Sequence, residues 1–514
     1  MVMLTISLML AVFIMALDTT ILSTAVPSIT SNFHSINDIG WYSGAYLLPL
    51  MSLQPTFGKV YSFFNIKAIF IGALVVFEAG SIICATAPSS SALIVGRAVA
   101  GLGAAAIYSG GMTIIGFSVP LSRISIFLAT LSSMSAIASV AGPPLGGVFT
   151  DSRKLTWRFC FWINLPFGGM SVLMFMLAFR APARQAVQLK FHEKVARMDL
   201  GGTSLFISSM VCLFLALQWG GIKYSWSDSR VWGLVLGFGL LMIAFVVLQL
   251  YLVENATIPP RIFRRRSVTS SLLVAALIST GFSTHTYYLP FYFQSAKGTT
   301  AAGSGVRLLP SLLSLTVAEL AVGSAVTVLG IYLPFIWTGT ALFTIAAGLL
   351  CTLAVGTSAG RLVGYQILAG AGVGSSMQLC ATAVRASVDE KDIPTASALS
   401  VFAPFFGGSL AASIAQNIFR SALVHSLQNS PLKAETATIV AAGARAGVNA
   451  VPDSLKETVM EAYNYAVTRS FIFAAVSGGL GFLCSLGIKW RNIKEEKNAG
   501  DDREEEGNKD GTSR

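Results

Sequence analysis

Five ionisable side chains stand inside long apolar runs of this 514-residue chain: Asp18, Glu78, Arg97, His285 and Glu319. At the centre of a bilayer each costs at least ~2.5 to 3.5 kcal/mol on insertion scales, so each one present asks for a function. Burial in apolar surroundings disfavours the charged form of a carboxylate, and a neighbouring cation favours it. Asp18 and Glu319 are therefore suited to load and release a proton as their exposure alternates. Arg97 keeps its charge, and its work would be to hold or release a carboxylate partner or an oriented water. Plainer readings stand beside these. Asp18 can accept hydrogen bonds from Thr19, Thr20 or a neighbouring helix, and Glu78, among Phe77, Ala79, Gly80 and Ser81, can make a static interhelical bond. His285 sits in the polar run Ser283-Thr284-His285-Thr286, where a structural or substrate-contact role outweighs a proton relay.

The elements that must position these groups are membrane helices. Hydrophobic residues make up 54% of the chain and charged residues 11%, against about 25% charged in ordinary soluble domains. Apolar runs near the ~20 residues of a bilayer-spanning helix recur from residue 4 to residue 488. A soluble enzyme, a disordered chain and a nucleic-acid module are excluded. Periodicity and length predict spans near 4–26, 40–57, 68–87, 92–117, 125–149, 159–180, 200–219, 231–252, 270–293, 305–325, 331–355, 362–384, 398–420 and 470–488. The fold class is all-α and polytopic, with fourteen transmembrane helices.

The net charge of +11 describes orientation rather than cargo, because the basic residues concentrate in alternate loops. Arg180, Arg184, Lys190, Lys194 and Arg197 anchor one loop, and Arg261, Arg264, Arg265 and Arg266 the next. The rule predicts that both termini are cytosolic. The first run carries Asp18, continues to Pro27 and has no basic residue before it, which argues against a cleaved signal peptide. The sequon Asn255-Ala256-Thr257 falls in an expected cytosolic loop, where it would not be glycosylated. Residues 421–469 read as a long external loop with room for a short surface helix, and 489–514 as a charged, disordered tail. The six cysteines show no CxxC pair and read as small core residues.

Short blocks repeat. Pro143-Pro144-Leu145-Gly146-Gly147 matches Pro404-Phe405-Phe406-Gly407-Gly408, and Leu47-Leu48-Pro49 matches Leu308-Leu309-Pro310, both displaced by 261. Arg97 to Gly103 lines up with Gln366 to Gly372 within eight residues of that displacement. The order is helix n to helix n+8, a parallel repeat of six helices with two helices inserted between the copies. The expected division is therefore an N-terminal six-helix bundle over 1–180, cytosolic loops and the inserted pair over 181–269, and a C-terminal bundle over 270–488. Two such halves with a site at the midplane between them describe the major facilitator fold. Gly101, Gly103, Gly142, Gly146 and Gly147 allow close backbone approach, and Pro143 with Pro144 removes amide donors, so these spans read either as a bending hinge or as a static packed seam. The run Tyr287, Tyr288, Phe291, Tyr292 and Phe293 beside Gln294 fits either an amphipathic substrate or an interfacial belt. With Glu78, His285, Gln366 and Gln378, Tyr287 and Gln294 form the candidate substrate-cavity set.

Five ordered blocks carry a family resemblance. Leu17-Asp18-Thr19-Thr20-Ile21, Gly96-Arg97-Ala98 through Gly103, Ala141-Gly142-Pro143-Pro144-Leu145-Gly146-Gly147, Trp157-Arg158-Phe159-Cys160-Phe161-Trp162-Ile163-Asn164-Leu165-Pro166, and Tyr287-Tyr288-Leu289-Pro290-Phe291-Tyr292-Phe293-Gln294 stand in sequence. Together they resemble the fourteen-helix drug:proton antiporter branch of the major facilitator superfamily, in particular fungal toxin and multidrug efflux pumps. The resemblance implies export of an amphipathic toxin, secondary metabolite or drug in exchange for protons, by a monomer in the plasma membrane, surrounded by lipid and without a cofactor beyond the proton gradient. It assigns Asp18 and Arg97 to proton coupling and the Gly/Pro block to export direction. Departures are Ser62 where the superfamily usually carries an aspartate, Arg385 in place of a glutamine, and Phe159 in place of a tryptophan. Rival readings are a siderophore or vacuolar basic amino-acid carrier of the same fold and a non-transporting sensor. A membrane enzyme is disfavoured because the four histidines are scattered, and an ATP-driven pump because there is no GxxxxGK[ST] loop.

Overall fold

The computed structural model describes residues 2–33, 39–152, 155–179, 198–221, 224–253, 256–299, 301–442, 448 and 451–492. Among them the chain is helical throughout, with two isolated bridges and no strand. The first half comprises α1 (Val2–Phe33), α2 (Ile39–Ser52), α3 (Gln54–Phe63), α4 (Ile66–Thr86), α5 (Ser90–Ser118), α6 (Ile124–Asp151), α7 (Phe159–Trp162) and α8 (Asn164–Ala178). A hairpin of α9 (Leu200–Trp219) and α10 (Ser229–Leu252) leads through the short α11 (Pro260–Arg264) to the second half. That half comprises α12 (Arg266–Ala296), α13 (Ala301–Val306), α14 (Leu309–Leu329), α15 (Leu333–Leu350), α16 (Ala359–Ala386), α17 (Ile393–Gln428), α18 (Thr436–Ala442) and α19 (Asp453–Ser485).

Among the described residues, thirteen helices are long and apolar enough to cross a membrane. The expected fourteenth, near 40–57, is divided at Leu53 into α2 and α3. Pro49 lies inside α2 and Pro55 in the first turn of α3, and each lacks the amide that would continue the hydrogen-bond ladder. The expected loop at 421–469 is largely helical: α17 continues to Gln428 and α19 starts at Asp453, with α18 between them. The basic loop holding Arg180, Arg184, Lys190, Lys194 and Arg197, the sequon residue Asn255 and the tail from 493 lie outside the described residues.

Local chemistry fixes several helix starts. The Asn65 side chain accepts from the amides of Lys67 (2.9 Å) and Ala68 (3.3 Å), Ser89 from Ala92 (3.3 Å) and Asp228 from Arg230 (2.8 Å), satisfying donors that have no partner inside their helices. Gly330 ends α14 in the left-handed region at φ 79°, which other residues adopt at a cost.

The same four pairings build both halves. In the first, α1 packs on α6 and α8, and α5 on α2 and α4; in the second, α12 packs on α17 and α19, and α16 on α14 and α15. The contacts show the repeat in detail. A Cβ at Gly103 would lie 2.5 Å from the Phe77 amide nitrogen, and one at Gly372 2.5 Å from that of Phe343. One part of the sequence match is a helical turn out of register. Gly142 closes on Thr20 of α1 and Gly407 on Ala276 and Thr280 of α12, so Gly142 corresponds to Gly407, displaced by 265 rather than 261. Likewise Gly101 meets the carbonyl of Tyr46 and Gly370 that of Ser311. The Pro-x-x-Gly-Gly likeness is therefore a local coincidence, one turn away from the packing equivalence. The six cysteines are free, and Cys84, Cys160 and Cys380 are buried as core residues.

The inserted hairpin is fastened at Asp199. Its Oδ1 accepts from the Gly202 amide (2.7 Å), and its Oδ2 from Gln249 Nε2 (2.7 Å), the Thr257 amide (2.9 Å) and Thr257 Oγ1 (2.8 Å). Lys59 on α3 lies within electrostatic reach of the same carboxylate. Hydrogen bonds to a charged group contribute about 1.5 to 3 kcal/mol each, so Asp199→Ala should lower the stability of the purified protein by about 3 kcal/mol, read as a lower thermal midpoint. An unchanged midpoint would mean that this cluster does not hold the hairpin. Further along, Arg261 grips Asp392 with bonds of 2.5 and 2.7 Å and Arg265 bonds Asp389 at 2.7 Å, tying the start of α12 to the turn between α16 and α17.

Candidate functional site

Between the halves lies a cavity of about 640 Å³ whose walls come from α1, α2, α5 and α6 on one side and α12, α14, α16 and α17 on the other, with two residues of α9 also on its lining. Its lining is mostly apolar, with Ser132, Ser135, Ser279, Ser283, Gln378 and Glu319 among the polar groups. At one end the halves touch. Gly58 on α3 sits against Pro394, Thr395 and Ala398 of α17, Ser125 shares a 3.1 Å hydrogen bond with Thr382, and Arg385 donates to the Gly116 carbonyl at 3.3 Å. Nearer the middle, Gln378 donates to Ser132, and Tyr108 meets Phe405 edge-on at 5.2 Å. The cavity extends the other way, toward the end where α2 begins with Trp41 and Gly44 on its wall. Arg385, where the family pattern has glutamine, thus joins α16 to α5 across the closed end.

The ion pair sits beside this cavity inside the first half. Asp18 and Arg97 are each 1% exposed and directly bonded. Arg97 also donates through Nε to the Tyr42 carbonyl (2.9 Å), and its guanidinium lies 4.4 Å over the ring of Tyr46. Asn164 donates to Asp18 at 3.3 Å and to Ser81 at 3.1 Å, linking α8, α1 and α4. The sequence marks Asn164 only by its isolation as an amide in the Phe-Trp-Ile-Asn-Leu-Pro run, which assigns it no role. Arg97 and Thr19 are on the cavity lining, so the Asp18–Arg97 pair borders the space between the halves.

The remaining candidates separate. Glu319 is 4% exposed, lines the cavity and has an Oε2 with no partner among the described residues. Tyr287 and Gln378 also line the cavity. The other four expected cavity residues stand elsewhere, because each faces into its own half. Glu78 lies against Gly168 of α8 with both carboxylate oxygens buried and unpartnered among the described residues. His285 packs between Phe343 (5.5 Å) and Phe471 (5.0 Å), Gln294 bonds Ser304 at 3.1 Å, and the buried Gln366 donates to the Leu362 carbonyl of its own helix at 3.3 Å. The aromatic run also divides: Tyr287 faces the cavity, whereas Tyr288, Tyr292 and Phe293 belong to a buried cluster with Phe419 and Tyr463. Gly101, Gly103 and Gly142 make close helix approaches, Gly146 is buried, and nothing lies within 4 Å of a Cβ placed on Gly147. The helix α6 runs unbroken through Pro143 and Pro144.

Comparison with known proteins gives this arrangement a family. The family model described as the Major Facilitator Superfamily matches residues 8–412. An MFS-type efflux pump of Arthroderma benhamiae is 40% identical over 491 residues, covering 95% of this chain and 91% of that protein. The MFS-type transporter phomT of Diaporthe leptostromiformis is 43% identical over 497 residues, with 96% and 83% covered, and the efflux pump roqT of Penicillium rubens is 39% identical over 495, with 96% and 92% covered. Among solved structures, the proton:xylose symporter XylE aligns with a TM-score of 0.62 at 12% identity over 96% of this chain and 98% of that one, which speaks to the fold. The human organic anion transporter MFSD10 aligns with a TM-score of 0.59 at 12% identity over 92% and 99%. This multi-pass membrane protein belongs to the major facilitator superfamily and is a transporter.

Proposed function

We propose that the protein is a proton-driven exporter of amphipathic organic compounds working by alternating access, with both termini cytosolic and the plasma membrane as its site. The observation that carries this reading is that Arg97 lies on the cavity wall and holds Asp18 behind it. Protonating Asp18 removes the partner of a permanent cation, so the charge presented to the cavity changes with one proton. A compound held while the pair is closed is then released when the guanidinium stands uncompensated, and loss of the proton restores the pair. Glu319, on the opposite wall, offers a second protonatable group within the same space. The mostly apolar lining with scattered serines suits a compound with a hydrocarbon body and a few polar groups. The efflux pumps among the relatives support the outward direction. With the termini cytosolic, the closed end faces the cytosol and the cavity opens outward.

One proton moving inward releases about 2.3 kcal/mol per 100 mV, enough for roughly fifty-fold accumulation against a neutral gradient. The test is accumulation of a panel of amphipathic dyes in cells lacking their own efflux pumps. The protein should lower accumulation, and a proton uncoupler should restore it. Lowered accumulation that persists under uncoupler would rule out proton drive, and unchanged accumulation across the panel with folded protein in the membrane would favour a narrow-substrate carrier or a sensor.

A further inference from the structure

We propose that the inserted helix α9 is a wall of the substrate cavity, with Phe214 and Leu215 forming an apolar subsite that takes the hydrocarbon portion of the transported compound and selects it by size. The inference rests on the efflux reading for its substrate class, and on packing for everything else. The chain needs two extra helices for no step of a two-bundle rocking cycle, so a tether would serve if it lay outside the bundles. The hairpin does not lie outside. At one end of α9, Thr56 of α3 donates to Thr203 at 3.3 Å, and Phe206 is held between Phe245 of α10 (5.1 Å) and Phe402 of α17 (5.6 Å). At the other end, Arg420 of α17 donates to the Gly221 carbonyl at 3.1 Å. The helix is thus tied to α17 near both its ends and to the first half through α2 and α3, so it stands at the seam between the two halves on that side.

Midway between these fastenings, Phe214 and Leu215 reach the cavity. Phe214 is 7% exposed and shares a hydrophobic cluster with Met51 of α2, which also lines the cavity. Both cavity residues of α9 are apolar, while Gln378, bonded to Ser132 of α6, and Glu319 of α14 lie along the seam where α6 meets α14. A bound amphipath would place its apolar body against α9 and its polar groups toward α6, α14 and α16. Removing or adding one ring's worth of volume in an apolar subsite changes discrimination between substrates by about tenfold or more.

Two measurements on the full-length protein test this. In the first, membranes open to reagent on both sides are treated with a charged methanethiosulfonate probe. Leu215→Cys, with Phe214→Cys as a second variant, should react severalfold beyond the parent, whose own Cys212 lies on the α10 side of the same helix against Gly237. Reaction no greater than the parent in both folded variants would overturn the wall assignment. In the second, efflux of rhodamine 6G and ethidium is compared. Phe214→Ala should shift the export ratio about tenfold toward the bulkier rhodamine, and Phe214→Trp should shift it the other way. Labelled cysteines with an unchanged ratio would overturn the subsite and leave the efflux reading intact. Labelled cysteines with no efflux of either dye by parent or variant would fail the efflux reading, and the subsite with it, while α9 kept its place in the wall.

Discussion

Asp18→Asn should abolish uphill export while leaving folded protein in the membrane. Asparagine preserves the volume at 18: its Oδ1 can still accept from Arg97, and its Nδ2 can donate to the Asn164 Oδ1 once that amide turns over, so the bonds that join α8, α1 and α5 have a counterpart. What disappears is the ability to take up and lose a proton. In the wild-type protein the ion pair is nearly closed to solvent, and breaking such a pair costs about 3 to 5 kcal/mol when one partner is left charged. That is the size of effect needed to make two conformations differ in stability according to one proton. In the variant the guanidinium is permanently uncompensated, so the cavity would stay in the condition proposed for the protonated carrier. The accumulation ratio sustained by a 100 mV potential, roughly fifty-fold at one proton per cycle, should fall to about one, whereas dye exchange down its own gradient should continue only at raised dye concentration, because the variant stays in the weakly binding condition. Comparing uphill efflux with downhill exchange in the same cells separates these. Uncoupler-sensitive uphill export surviving in Asp18→Asn would remove Asp18 from the coupling step and make Glu319 the group to substitute next.

Gly103→Val and Gly372→Val should each leave little folded protein. These positions are equivalent in the two halves, and a Cβ at either would stand 2.5 Å from a backbone nitrogen, of Phe77 or of Phe343, and 2.8 Å from a carbonyl oxygen, of Ala73 or of Gly339. The obstructing atoms are main chain, so a rotamer change cannot relieve them and the helices must separate. Without a hydrophobic force between helices in lipid, their association depends on this close contact. Overpacking a tight seam costs about 1 to 3 kcal/mol, and a branched side chain between two backbones should reach the upper end. Size-exclusion profiles and thermal midpoints of the tagged protein measure it. Gly147→Val, which meets nothing within 4 Å, is the comparison and should behave like the parent. Equal loss at Gly147 would mean that helix propensity rather than close approach sets the cost.

Much of this molecule was legible before any coordinates, and the legible part has one cause. A bilayer demands that every backbone group be bonded within its own segment, so span number, length and polar exceptions are written in local composition. The apolar runs follow from that demand, and so does the conspicuousness of Asp18, Arg97 and Glu319 within them. The break of the second span at Leu53 was signalled by Pro49 and Pro55 but concealed by the continuous apolar run across them.

Tertiary structure alone decided which way each polar group faces. Glu78, His285, Gln294 and Gln366 are as conspicuous in sequence as Tyr287, Gln378 and Glu319, yet the first four point into their own bundles and the last three toward the space between them. Small residues spread along every helix make several registers look alike in one dimension, so the repeat matched one turn away from the true equivalence of Gly142 and Gly407. The place of α9 was hidden for a related reason. Phe214 and Leu215 are ordinary residues of an apolar helix, and only the fastening of that helix at Thr203, Phe206 and Gly221 turns them to the cavity. Local composition says what must stay within the membrane, and the choice between lipid, bundle interior and cavity belongs to contacts between segments hundreds of residues apart.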